Sequence, residues 1–107
     1  MKVIVESPFA GDFKTNIKYA KECMKDCMKK GESPFVSHLL YTLVLDDRVA
    51  KERQLGLTLA ERWYPVCDKV IVYTDLGMSS GMKTGIKLAK KYNKKIIYRS
   101  LAQWVKQ

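Results

Sequence analysis

Short apolar runs alternate along this chain with longer amphipathic segments, which predicts strands that take turns with helices. The apolar runs are rich in β-branched residues and lack polar alternation, as is typical of strands buried on both faces of a parallel sheet. The predicted strands are Val3–Val5, Pro34–His38, Lys69–Thr74 and Ile96–Tyr98.

Three amphipathic segments predict the main helices. The first begins at an N-cap at Asp12 and ends at Gly31, and it carries one apolar stripe. The second spans Ala50 to Trp63, with Trp63 turned inward, before Pro65 ends it. The third follows the turn after Thr74 and ends near Asn93. Ser100 is predicted to cap a last short helix that reaches Trp104, and residues 39–49 are left without an assignment.

This order of elements predicts an α/β fold in three layers, with a parallel sheet of about four to five strands flanked by helices. Right-handed crossovers favour a flavodoxin-like or Rossmann-like strand order with the first strand in the centre. A chain of 107 residues, 47% of them hydrophobic, fits one domain over residues 1–107.

Composition narrows the cellular setting and the cofactors. The sequence has no long apolar run and no signal-peptide pattern, so we expect a soluble, cytoplasmic protein without a membrane partner. Its three cysteines, Cys23, Cys27 and Cys67, are predicted to be free, buried thiols. A zinc site formed by these thiols and His38 is disfavoured against core packing, so neither a metal nor a cofactor is predicted.

The formal net charge of +9 is large for this length and favours partners that carry phosphate groups. The lysines also fit the solvated faces of two amphipathic helices. Aromatic residues are not interleaved with the basic runs as single-strand binding requires, so nucleic acid is a secondary hypothesis.

Candidate chemistry gathers where the predicted strands end, because the carboxyl ends of parallel strands lie along one edge of the sheet. The segment from Asp75 to Gly85 hands a strand over to a helix, and free backbone N–H groups at such a helix start favour an anion. Small and hydroxyl residues there suit a sugar or phosphate, and Phe9 suits a base. The predicted ligand-binding residues are Ser7, Phe9, Gly11, Asp12, His38, Asp75, Ser79, Ser80, Gly81 and Met82.

These motifs also carry a family resemblance that runs over most of the chain in the right order. They resemble nucleoside 2-deoxyribosyltransferase-like proteins and, more narrowly, a small branch common in phages and prophages. The resemblance implies a flavodoxin-like sheet, a nucleoside or nucleotide pocket and a homo-oligomer. The matching segments are Ser7 to Asp12 with Asn16, His38 to Leu40, Leu45 to Asp47, Glu52-Arg53 with Gly56, Cys67-Asp68 and Ser80 to Met82.

The resemblance further implies a glutamate nucleophile on the helix after the Ser-Gly-Met turn, because an oxocarbenium-like transition state demands a nearby carboxylate. The corresponding position holds Gly85, which has no side chain. We therefore expect nucleoside or nucleotide binding without the usual glycosyl transfer, as in a phage nucleotide sensor or sponge. Two alternatives stay open: an active N-glycosidase or deoxyribosyltransferase that uses Asp75, Asp12 or His38, and a basic nucleic-acid-binding module.

Overall fold

The computed structural model describes residues 1–104 and contains one four-stranded parallel sheet with the strand order β2-β1-β3-β4. Three short 3₁₀ turns, Ser37–Leu39, Tyr41–Leu43 and Ala102–Trp104, supplement the regular elements. In chain order the strands and helices are β1 (Lys2–Glu6), α1 (Phe13–Lys29), β2 (Ser33–Phe35), α2 (Ala50–Glu61), β3 (Lys69–Tyr73), α3 (Ser80–Lys91) and β4 (Lys95–Arg99).

The predicted α/β fold class and the interior position of the first strand are both confirmed. Successive side chains of the interior strands point to opposite faces of the sheet and enter two separate cores. Val5 and Ile71 pack with α1 in one core, whereas Ile4 and Val70 pack with α3 in the other. The sheet is therefore covered on both faces, which explains why its interior strands read as unbroken apolar runs.

The structure differs from the sequence prediction near the second strand. β2 ends at Phe35, so His38 lies on a 3₁₀ turn and not on a strand. The N–H of Leu39 donates to the carbonyl of Val36 and the N–H of Leu40 donates to that of Ser37, so these residues form a 3₁₀ turn and do not extend the ladder with β1. Residues 39–49, for which the sequence predicted no element, contain the second 3₁₀ turn, Tyr41–Leu43.

Two smaller predictions about helices were wrong in part. A last short helix reaches Trp104 as predicted, but within residues 1–104 it is a 3₁₀ turn that starts at Ala102, two residues after the predicted cap at Ser100. Helix α2 buries none of its residues, and Trp63, expected inside, is 42% exposed. Its indole stacks on Phe35 with the ring centroids 4.7 Å apart, so this tryptophan covers an edge strand from outside the core.

All three cysteines are free, buried thiols. Within residues 1–104, no group of three or more histidine, cysteine or acidic residues is arranged to hold a metal ion. No helix in that part of the chain is both long and apolar enough to cross a membrane.

A partly buried ion cluster joins the loop after α1 to the two strands at the far side of the sheet. The carboxylate of Glu32, 7% exposed, accepts two hydrogen bonds from Arg99, at 2.7 and 2.6 Å, and lies 3.0 Å from the Lys69 ammonium. These contacts, led by those from Arg99, lower the pKa of Glu32 to about 2. The cluster therefore stabilises the fold above the ordinary glutamate pKa of 4.5, and this contribution is lost as the pH falls toward 2.

Arg99→Met tests this cluster, because it leaves the largely covered Glu32 side chain with Lys69 as its remaining cation. We expect the free energy of unfolding in urea at pH 7 to fall by about 3 kcal/mol. Arg48→Met is the matched control, since the Arg48 side chain is 80% exposed and its ion pair with Asp46 should contribute less than about 1 kcal/mol. Equal losses in the two variants would contradict the assignment.

Candidate functional site

Two adjoining cavities open at the carboxyl end of β1, between α2 and the start of α3. The smaller cavity has a volume of about 90 Å³ and the larger one about 300 Å³. We call the two together the cleft. Both lie at the sheet edge where the sequence predicted a ligand site. The residues that line both cavities are Ser37, His38, Leu57, Ala60 and Gly81.

Five of the ten predicted ligand-binding residues line the cleft together. Phe9 and His38 form a stacked pair on one side, with ring centroids 5.1 Å apart and an angle of 16° between the rings. Ser79, Ser80 and Gly81 bring the start of α3 to the same cavity.

The start of α3 is organised by its own cap. The Ser79 hydroxyl accepts a hydrogen bond from the N–H of Met82 at 3.2 Å. The first turn of α3 carries no acidic residue of its own, so the helix itself supplies no negative charge to compete with an anion at its positive end. The Met82 side chain is fully buried in the core, so Met82 supports this turn from below and does not line the cleft.

His38 is held as a neutral imidazole. Its Nε2 lies 2.9 Å from the carbonyl oxygen of Ser7, which can only accept, so Nε2 carries the proton and donates. Burial lowers the pKa of the ring. A neutral ring that donates its one N–H to the Ser7 carbonyl suits stacking, or accepting a hydrogen bond through Nδ1, better than it suits donating a proton to a substrate.

Two predicted residues shape the loop that presents Phe9. Gly11 has φ +96°, a left-handed conformation that glycine adopts readily. Asp12 caps α1, and its carboxylate accepts from the Thr15 N–H at 3.2 Å and from the Thr15 hydroxyl at 2.7 Å. These contacts lower the pKa of Asp12, which is not among the residues that line the cleft.

The other two predicted residues lie outside the cleft lining. The Ser7 side chain is fully buried, and its hydroxyl has no hydrogen-bond partner among residues 1–104. The Asp75 carboxylate accepts from the Tyr19 hydroxyl at 2.6 Å and from the Leu101 N–H at 2.9 Å. Asp75 thus joins the end of β3 to α1 and to the segment after β4.

The structure adds a carboxylate that the sequence analysis did not single out. Glu6 is the last residue of β1 and is only 7% exposed, yet it lines the larger cavity. The Tyr64 hydroxyl donates a hydrogen bond to its Oε2. Burial raises the pKa of Glu6 to about 7, although the Tyr64 hydrogen bond acts in the opposite direction.

Gly85 makes room for this carboxylate. A Cβ atom built on Gly85 would lie 2.5 Å from Oε1 of Glu6 and closer still to Cδ and Oε2, inside van der Waals contact. The Glu6 carboxylate therefore occupies the space into which a side chain at position 85 would extend. In the sequence, Glu6 reads as an ordinary strand end. The sequence did offer one indication of a functional role: Glu6 is a charged residue at the end of an apolar strand, and charged side chains are rarely buried.

The parallel α/β sheet has the flavodoxin-like fold that is found in 2-deoxyribosyltransferases. A 2-deoxyribosyltransferase from Bacillus psychrosaccharolyticus superimposes with a TM-score of 0.75 and 13% identity, over 94% of this chain and 72% of that one. A 2-deoxyribosyltransferase from Leishmania mexicana gives 0.58 and 12%, over 92% and 63%. At these identities the likeness is one of fold.

The chain belongs to a family described as a domain of unknown function (DUF7768), whose sequence model matches residues 1–99. No curated protein matches the chain in sequence.

Gly85→Ala tests the contact between Gly85 and Glu6. Alanine within a helix normally stabilises relative to glycine by about 0.5 to 1 kcal/mol. Here the added methyl group meets the Glu6 carboxylate, so we expect the free energy of unfolding to fall by about 1 to 3 kcal/mol. Gly56→Ala is the control, since its Cβ would meet only Leu45 at 3.6 Å. Adding Glu6→Ala to Gly85→Ala should recover part of the loss, whereas strictly additive effects would contradict the contact.

Glu6→Gln tests the burial of the carboxyl group by its pH dependence. A folded-state pKa raised from 4.5 to about 7 means that stability is full below pH 4.5 and declines as the pH rises through 7. The decline due to Glu6 should be about 3 kcal/mol. The lowered pKa of His38 makes the free energy of unfolding rise with pH, opposite to the effect of Glu6. Subtracting the values of Glu6→Gln from those of the unaltered protein at each pH removes this contribution of His38. A difference that stays constant from pH 4.5 to 8, measured by urea denaturation, would contradict the raised pKa.

Proposed function

We propose that this protein binds a nucleoside or nucleotide in the cleft. The observation that carries the proposal is the stacked pair of Phe9 and His38 on the same cavity as the start of α3, whose first turn carries no acidic residue. The first element suits the flat face of a base, and the second suits a phosphate or sugar oxygen. The fold adds support, since the similar Bacillus enzyme is described as a catalyst for the synthesis of nucleosides.

Arg53 extends the proposed anion site, because it lines the same cavity as Ser79 and Ser80. Its guanidinium suits a phosphate better than an uncharged sugar. The net charge of +9 strengthens the attraction for anionic ligands over the whole molecule. The proposal therefore favours nucleotides over nucleosides.

The proposal excludes glycosyl transfer through residue 85, which has no side chain and no free space for one beside Glu6. We also propose that the protein is cytoplasmic and forms a homo-oligomer in which a second copy of the chain covers α2. Leu55 of that helix is 47% exposed and lies outside the cleft lining, which supports a covering subunit. A phage or prophage protein that senses or sequesters a nucleotide would have these properties.

Calorimetric titration with a panel of nucleosides and nucleoside monophosphates tests the proposal. We expect at least one ligand to bind with a dissociation constant below about 1 mM. Phe9→Ala should weaken it about tenfold or more, because base stacking on an aromatic ring contributes about 1 to 3 kcal/mol. Arg53→Gln should weaken the binding of the monophosphate more than that of the nucleoside. Arg62 lies outside the cleft lining, so Arg62→Gln should leave the binding of both ligands unchanged.

No binding across the panel at millimolar concentrations would contradict the proposal. Binding of oligonucleotides alone, with an affinity that falls steeply with salt and ignores base identity, would favour a basic nucleic-acid-binding module instead.

A further inference from the structure

The buried pair of Glu6 and Tyr64 has no part in the binding described above, although it lines the same cleft. A carboxyl group at the end of an interior strand, closed off from bulk water and open to a cavity, is costly to the fold. Such groups are characteristic of sites that handle protons. Here the cost is incurred at the carboxyl edge of the sheet, beside the proposed ligand.

We propose that Glu6 is a catalytic residue, the general base of an N-glycoside hydrolase reaction carried out on a nucleoside or nucleotide in the cleft. This inference rests on the proposed function and deepens it from binding to hydrolysis. Tyr64 is a positioning residue, because its hydroxyl fixes the carboxylate through Oε2 and leaves the lone pairs of Oε1 for a water molecule.

The reaction balances without a cofactor. A water oxygen forms a bond to the sugar carbon C1′ while its proton passes to Glu6. The bond between C1′ and the base nitrogen breaks, and its electron pair stays with the base. The proton held by Glu6 then returns through solvent to the base nitrogen, so the products are the free base and the free sugar, and Glu6 is ionised again. Positive charge that develops at C1′ is stabilised by the nearby carboxylate.

The groups around Glu6 leave it as the residue that titrates in the neutral range. The titratable residues that line its cavity within residues 1–104 are His38, Glu61 and Tyr64. Burial lowers the pKa of His38, and Lys91, 3.0 Å away, lowers that of Glu61. Burial raises the pKa of Tyr64, and likewise that of the Cys67 thiol beside it.

A base with a pKa near the working pH combines a large ionised fraction with strong basicity. The pKa of Glu6, about 7, meets this condition. The remaining elements around the carboxylate are uncharged where they meet it: β3 pairs Val72 with Glu6, and α3 presents Gly81, Thr84 and Gly85. The pH dependence of the reaction should therefore follow Glu6.

The test is the release of free base from the nucleosides and nucleoside monophosphates of the binding panel. The reactions are run at pH values from 5 to 9, and the free base is measured by chromatography. We expect the rate to rise with pH through about 7 and to level off above it. Glu6→Gln, nearly isosteric, should lower kcat by about a hundredfold or more, with binding of the ligand kept within about threefold. Glu22→Gln is the matched control on the outer side of α1 and should leave the rate unchanged.

Tyr64→Phe separates a positioning role from a structural one. Since the Tyr64 hydrogen bond lowers the pKa of Glu6, its removal should move the midpoint of the pH–rate profile to higher pH. A lower rate with an unmoved midpoint would overturn the role of Tyr64. This variant keeps the inference testable even where Glu6→Gln folds poorly, which thermal melting reports.

The remaining outcomes separate this inference from the proposed function. Ligand binding without base release by the unaltered protein at any pH would overturn hydrolysis and leave binding standing, whereas no binding overturns both. Base release that survives Glu6→Gln would overturn the role of Glu6. A gain of one sugar mass on the protein during turnover would show attack by the carboxylate itself and overturn its role as a base.

Discussion

The burial of one carboxyl group, that of Glu6, constrains this whole edge of the fold. β1 is an interior strand, so its last side chain enters a space already bounded by α3 and by the chain that follows α2. That space accepts a carboxyl group because Gly85 supplies no side chain and Tyr64 supplies a hydrogen bond. Three segments distant in sequence thus meet at one group, and the shape of the cleft depends on that meeting.

The contact with Glu6 changes how the glycine at position 85 is interpreted. The resemblance to deoxyribosyltransferases implies a carboxylate on the helix at this position, and the glycine suggests that catalysis was lost. In the structure a carboxylate occupies the same space but comes from the opposite wall, at the end of β1. A group held from there is fixed by the interior strand that carries it and by the phenol of Tyr64, which suits a proton acceptor better than a freely moving side chain.

The fold could be predicted because its signals are local. Apolar runs of β-branched residues mark β1, β3 and β4, and amphipathic segments mark the helices between them. Right-handed crossovers then leave few strand orders, and those favoured place β1 in the interior. The position of His38 was less predictable, because a three-residue edge strand ends where turn hydrogen bonds compete with the ladder. The half of the predicted site that the cleft brings together, Phe9, His38 and Ser79 to Gly81, follows from that same topology.

What the sequence could not reveal depends on contacts between distant residues. Ser7 and Asp75 have the right chemistry at the right edge, but the packing turns one into the interior and gives the other to Tyr19 and Leu101. Glu6 was not predicted as a site residue because its role depends on Tyr64 and Gly85, which lie far from it in the sequence. Local pattern identifies the edge of the sheet, and only the tertiary structure decides which side chains reach the cleft.

The most direct measurement of the central claim is the titration of the Glu6 side-chain carboxyl carbon by ¹³C NMR, with Glu6→Gln used to assign its resonance. A buried carboxyl group beside Gly85 and Tyr64 should titrate with a pKa of about 7. In Gly85→Ala, whose methyl group displaces the carboxylate, the pKa should fall toward the ordinary value. A Glu6 carboxyl that already titrates near 4.5 in the unaltered protein would contradict the account.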